Sequence, residues 1–72
     1  MSDSVYRKTE IVGSSSAGLQ PAIEAGINRA RKTLRNLDWF EVTEIRGYLG
    51  GDGNGSPDYW QVTMKVGFRL DE

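Results

Sequence analysis

The segment DYWQVTMKVGFRLDE, residues 58 to 72, carries the most regular alternation in the chain. Trp60, Val62, Met64, Val66, Phe68 and Leu70 share one parity. Tyr59, Gln61, Thr63, Lys65 and Arg69 share the other, with Gly67 interrupting that row. Successive strand side chains point to opposite faces, so the pattern predicts a long, half-buried strand over 58–71. WFEVTEIRGYLG predicts a second strand over 39–50, and GDGNGSP, 51–57, consists almost wholly of turn residues. VYRKTEIVG predicts a strand over 5–13, with Val5, Ile11 and Val12 apolar and Arg7 and Lys8 breaking the alternation. Residues 1–4 read as a short polar tail. Between Gly13 and Trp39 the period changes. Leu19, Ile23, Ile27, Ala30 and Leu34 recur at spacings of three and four, which predicts a helix over 18–35. Ser14, Ser15 and Ser16 offer side-chain caps for its first turn, where Pro21 is tolerated. Gly26 costs about 1 kcal/mol relative to alanine inside a helix. With Ala22 and Ala30 at four-residue spacing it forms a groove that a sheet or another helix can approach.

The order strand, helix, strand, strand sets the topology. The last two strands form an antiparallel hairpin, and the helix returns the chain so that the first two run the same way. The simplest result is an α+β, β-α-β-β fold. Its three-stranded antiparallel sheet has the order 1-3-2, with the helix across one face.

The other face raises the functional question. Trp39, Glu41, Thr43 and Ile45 share one parity of the second strand; Phe40, Val42, Glu44, Arg46 and Tyr48 share the other. Phe40 and Val42 match the apolar face of the third strand, which turns Trp39 outward with Gln61 and Arg69. Glu44 and Arg46 then fall awkwardly on the core side. Either a bulge re-aims them or the strand overhangs the helix. A hairpin centred near Gly53 sets Trp39 opposite residues 67–69 and Gln61 opposite about Ile45, roughly 20 Å apart at about 3.4 Å per residue. One chain cannot bring both to one small ligand, whereas two chains related by symmetry can. An outward tryptophan serves either as a packed aromatic at a dry oligomer interface or as a stacking platform for a planar ring. Glutamine can both donate to and accept from a ring edge, though a glutamine on such a face is ordinarily just solvated.

Composition narrows the alternatives. With 72 residues the chain is a single domain, 1–72, of a size that buries only about 60% of its unfolded surface. It has no cysteine and no histidine, so disulfides, thiolate metal sites and the commonest metal ligand are absent. A bound organic ligand or an oligomer remains as the extra source of stability. A net charge of -1 gives no general field for nucleic acid. No apolar run nears the ~20 residues of a membrane span, and no signal-peptide core is visible, so the expected compartment is the cytoplasm. GDGNG lacks the spacing of a dinucleotide or P-loop motif and joins strands instead of opening a helix. It lacks the ligands of an EF-hand as well. Glu41 and Glu44 differ in strand parity, and the serines have no obvious base, so no enzyme is expected. Arg29, Arg31, Lys32 and Arg35 gather in the second half of the helix, where its dipole favours cations.

VYRKTEIVGSS, RARKTLRNLDWFEVTEIRG and YWQVTMKVGFRL, in this order and spacing, resemble the dodecins, small flavin-binding proteins, over essentially the whole chain. The resemblance implies a sheet wrapped around one helix and a hollow homo-dodecamer of 23 symmetry built from trimers. It implies antiparallel flavin pairs at two-fold interfaces, each ring sandwiched between a tryptophan and its partner flavin. Trp39 falls on that tryptophan, and Gln61 on the glutamine that bonds the ring edge. Arg46 and Arg69 fall on basic positions linked to a phosphate end or to coenzyme A; Lys32 and Arg35 are weaker candidates. The implied role is flavin storage and photoprotective quenching without turnover, with FMN expected and riboflavin or lumichrome as alternatives. Binding of coenzyme A or another phosphorylated metabolite is the competing expectation. Two features depart from the family pattern: a longer, glycine-rich hairpin loop over 50–57, and Trp60 beside Gln61.

Overall fold

The computed structural model describes residues 3–51, 53 and 55–71. Met1 and Ser2 of the expected tail, and Asp52 and Asn54 of the expected loop, lie outside the described residues. Strand β1 (Tyr6–Ser15), helix α1 (Leu19–Ala30), strand β2 (Leu37–Leu49) and strand β3 (Pro57–Arg69) follow in that order. They form the expected β-α-β-β fold, with one antiparallel sheet in the order β1-β3-β2.

Ladder pairing, rather than hydrophobic pattern, sets the strand ends. β1 extends past Gly13 because Ser14 and Ser15 pair with Gln61 and Trp60. β2 begins at Leu37 rather than Trp39 because Leu37 already pairs with Phe68.

The helix differs more from its expected span of 18–35. Its α-helical part ends at Ala30. The chain then tightens, with Lys32 N donating to Arg29 O at 3.1 Å and Thr33 N to Ala30 O at 3.1 Å. Asn36 follows at φ 62, in the left-handed region that asparagine tolerates better than most residues. Its amide donates to Arg69 O at 3.0 Å and to Asp71 Oδ1 at 2.9 Å. That tie to the end of β3 turns the chain into β2. The serine cap is not formed either. The N-cap is Gly18, with no side-chain hydrogen bond, and Ser15 Oγ instead accepts from Ala17 N at 3.0 Å.

The helix meets the sheet through its small residues. Ala22, Gly26 and Ala30 are its buried positions, whereas Leu19, Ile23 and Ile27 pack as partly buried flanks. A Cβ on Gly13 would collide with the Ala22 carbonyl, and one on Gly26 would lie 2.8 Å from Met64 Cε. Backbone thus packs on backbone where α1 crosses β1, which accounts for the helical glycine. Ala22, Val62 and Met64 make the centre of the core, all at 0% exposure.

α1 covers β1 and β3 but does not pack on β2. The core-side residues Phe40, Val42 and Ile45 consequently remain 46%, 40% and 51% exposed. The molecule measures 58 × 20 × 13 Å, with a radius of gyration of 15.2 Å; a compact chain of this length would give about 11 Å. Among the described residues, no helix is long and apolar enough to cross a membrane.

Candidate functional site

β3 is the central strand, and its odd positions carry one continuous row across the uncovered face. At one end Trp39 pairs in register with Gly67. Because Gly67 has no side chain, the indole settles onto the strand; a Cβ there would collide with three carbons of its six-membered ring. Gly67 therefore acts as a seat for Trp39 rather than as a break in the row. Tyr6, opposite Arg69 on β1, meets the indole edge-on, with centroids 5.4 Å apart and planes at 61°. Trp39 nevertheless keeps 36% exposure, a large, seated aromatic open to a further flat partner.

Next along the face, Glu41 pairs with Lys65 and reaches Lys8 across β3, with Lys8 Nζ donating to Glu41 Oε1 at 2.9 Å. That hydrogen bond holds the Glu41 carboxyl below its ordinary 4.5, with Trp39 acting in the same direction and desolvation opposing it. The pair is exposed, so it orders the surface beside Trp39 more than it stabilises the fold.

A register shift between Val42 and Glu44 leaves Thr43 without a register partner, although its hydroxyl donates to Thr63 O at 3.2 Å. This bulge reverses the parity of the rest of β2. Ile45 moves to the core side opposite Val62, and Glu44 and Arg46 move to the Trp39 face opposite Thr63 and Gln61. The simple alternation that put Ile45 with Trp39 and Arg46 with Phe40 is thereby corrected. Of the two expected explanations for the awkward charges, the bulge is the one that operates; the overhang of β2 beyond the helix instead leaves Phe40, Val42 and Ile45 exposed.

The far end of the face is polar and aromatic. Arg46 Nε donates to Gln61 Oε1 at 3.1 Å, and the Arg46 guanidinium lies 5.6 Å from the centre of the Tyr48 ring. Tyr48 stacks on its register partner Tyr59 at 4.6 Å and 10°. Gln61 and Arg46 are thus brought together, and Trp39 and Arg69 share the opposite end. Gly67 and Gln61 lie six positions apart on β3, a distance of roughly 20 Å. Within one chain these two ends stay apart. Arg69 is exposed and lines a surface groove with Asn36, Leu37 and Asp38. Among the described residues no group of carboxylates is placed to hold a metal ion.

The alternation pattern puts Tyr59 on the Gln61 face, but it does not place Tyr6 or Tyr48 there. For Tyr6 the available signal was parity with Arg69 in an antiparallel ladder, hidden by the irregular pattern of β1. For Tyr48 the bulge hid its face.

Comparison with known proteins gives a uniform result. The family model described as Dodecin matches residues 5–71. The dodecin of Thermus thermophilus is 57% identical over 68 residues, covering 94% of each chain. The structure of the dodecin from Streptomyces davaonensis has 60% identity and a TM-score of 0.89, covering 99% of this chain and 100% of that one. That of the dodecin from Streptomyces coelicolor has 49% identity and a TM-score of 0.88, with 100% and 99% coverage.

Proposed function

The chain belongs to the dodecin family, and from that premise we propose that it binds, stores and photochemically quiets a flavin, with FMN as the stored species. The observation that carries this reading is the seated indole of Trp39, backed by Gly67 and still 36% exposed. A planar isoalloxazine stacks on that surface. Gln61 supplies hydrogen bonds to the edge of the ring. Because the two lie roughly 20 Å apart on one chain, Trp39 and Gln61 of different subunits complete one site. Arg46 and Arg69 supply positive charge for the phosphate end, a role suited to the planar donor fork of arginine.

The assembly in this proposal is a homo-dodecamer built from trimers. The extended shape and the exposed core-side residues of β2 support association, because a surface this apolar is costly on a lone small chain. The proposed role includes no metal and no turnover: Trp39 quenches the excited flavin by electron transfer, and the electron returns to leave both groups unchanged. Storage of this kind belongs to the cytoplasm.

Coenzyme A is the second reading, favoured by one observation. Arg35 and Arg69 line one groove with Asn36 and Asp71, and two arginines beside an open groove suit a phosphorylated ligand. Arg35, however, already faces Asp71 at 3.4 Å. Gel filtration with absorbance and fluorescence detection tests the main reading. The expected result is a quenched flavin co-eluting with a particle of about twelve chains, with the flavin lost in Trp39→Ala. Unaltered flavin binding by Trp39→Ala would overturn the stacking assignment, and binding of coenzyme A alone would favour the second reading.

A further inference from the structure

The polar end of the site contains a chain of contacts that runs from the hairpin to the ring-binding amide. Tyr59 and Tyr48 are register partners, stacked at 4.6 Å and 10°. The next pair on the same face is Gln61 and Arg46. The Arg46 guanidinium lies 5.6 Å from the centre of the Tyr48 ring, within the range of a cation–π attraction. Its Nε–H donates to Gln61 at 3.1 Å.

Arginine has donors and no acceptor. Whatever faces Arg46 Nε at 3.1 Å must therefore be the carbonyl oxygen of Gln61 and not its NH2 group. A charge-assisted bond of this kind is stronger than a neutral one, so it fixes which way the amide points. The NH2 group of Gln61 is left facing away from Arg46, and among the described residues it donates to no other group.

We infer that Arg46 is a positioning residue, held over the hairpin by the Tyr48–Tyr59 stack, that orients the Gln61 amide so that the site offers N–H donors to its ligand. The inference rests on the flavin reading above for the identity of the ligand, but the orientation itself belongs to the unliganded chain. The ring edge recognised at Gln61 must then present acceptors: carbonyl oxygens or an unprotonated ring nitrogen, as on the pyrimidine-dione edge of a flavin. Arg46 acts on the ring end of the ligand through Gln61, in addition to any contact its terminal nitrogens make with a phosphate.

Riboflavin, which has no phosphate, separates the two roles. Ligand-free assemblies of the wild type, Arg46→Ala, Tyr48→Ala and Tyr48→Phe are titrated with riboflavin and with FMN. Releasing one ordered side chain costs about 0.5–1.5 kcal/mol, or two- to tenfold in affinity. Arg46→Ala and Tyr48→Ala should weaken riboflavin by about that factor, while Tyr48→Phe keeps the ring and restores binding. In a Gln61→Ala background, Arg46→Ala should cost riboflavin nothing further. Loss confined to FMN, or additive losses in the double variant, would overturn the inference. If the wild type binds neither flavin, the functional reading fails and the orientation is judged separately. In the unliganded protein the Arg46 Nε–H resonance should be protected from exchange and lose that protection in Gln61→Ala. An unprotected Nε–H in the wild type would also overturn the inference.

Discussion

Gly67→Ala tests how Trp39 is seated without touching the tryptophan. The added methyl would enter the space of the indole, close to three of its carbons. Carbon atoms in good contact lie about 3.5–4.0 Å apart, so the ring must move by roughly 1 Å or leave its rotamer. Displacement of a side chain from its preferred rotamer costs of order 0.5–1.5 kcal/mol. The strand itself gains slightly from replacing glycine, so folding is expected to survive. A flavin stacked on a displaced ring loses part of an aromatic contact worth about 0.5–1.5 kcal/mol beyond its buried area. Together these predict a loss of affinity of about tenfold, or 1.4 kcal/mol. The assay is titration of riboflavin into stripped protein, followed by flavin emission. Flavin emission is preferred because Trp60 would confuse a tryptophan signal. Wild-type affinity with wild-type quenching in Gly67→Ala would refute the idea that Gly67 seats the stacking ring.

Three further outcomes follow from the same contacts. Gly13→Ala places a methyl against the Ala22 carbonyl, a backbone group unable to step aside, and should cost about 3 kcal/mol or more, whereas Gly26→Ala collides only with the far end of the Met64 side chain, with Ile11 Cδ1 and Gly13 Cα at 3.4 and 3.5 Å, and gains helix propensity, leaving a change within about 1 kcal/mol; thermal unfolding of the two variants compares them. Met64→Ala removes a fully buried side chain and should cost about 2–5 kcal/mol in denaturant titration. The lowered Glu41 carboxyl favours the folded state above its ordinary value of 4.5, and that contribution is lost as pH falls through the lower folded value. Lys8→Met should therefore raise the Glu41 titration midpoint in NMR and flatten this part of the acid profile; an unmoved midpoint would remove Lys8 as the cause.

The parts of this account legible in the sequence are those where one face differs chemically from the other. β3 is one of them, and its pairing placed Trp39 at Gly67, inside the expected 67–69 window. Gln61 was expected opposite about Ile45 and pairs with Arg46, one residue away. The displacement is the bulge at Thr43, and threonine is an ordinary strand residue that carries no mark of it. Arg46 therefore reached the Gln61 side through a backbone irregularity that side-chain parity cannot report. The helix illustrates a second limit. The pattern marks Leu19, Ile23, Ile27, Ala30 and Leu34 as the apolar stripe and Ala22, Gly26 and Ala30 as a groove, but it does not say which lies innermost; close backbone approach at Gly13 gives that place to the groove. Its early end depends on Asn36 bonding to Arg69 and Asp71, partners 33 and 35 residues away.

The central claim is a flavin stacked on Trp39 in an assembly of this chain. Its most direct test is a titration of FMN and riboflavin, in parallel, into ligand-free wild-type protein and Trp39→Ala. The account predicts saturation at one flavin per chain, near-complete quenching of flavin emission in the wild type, and loss of both in the variant. Flavin that stays fluorescent in the wild type, or binds equally to Trp39→Ala, would contradict it.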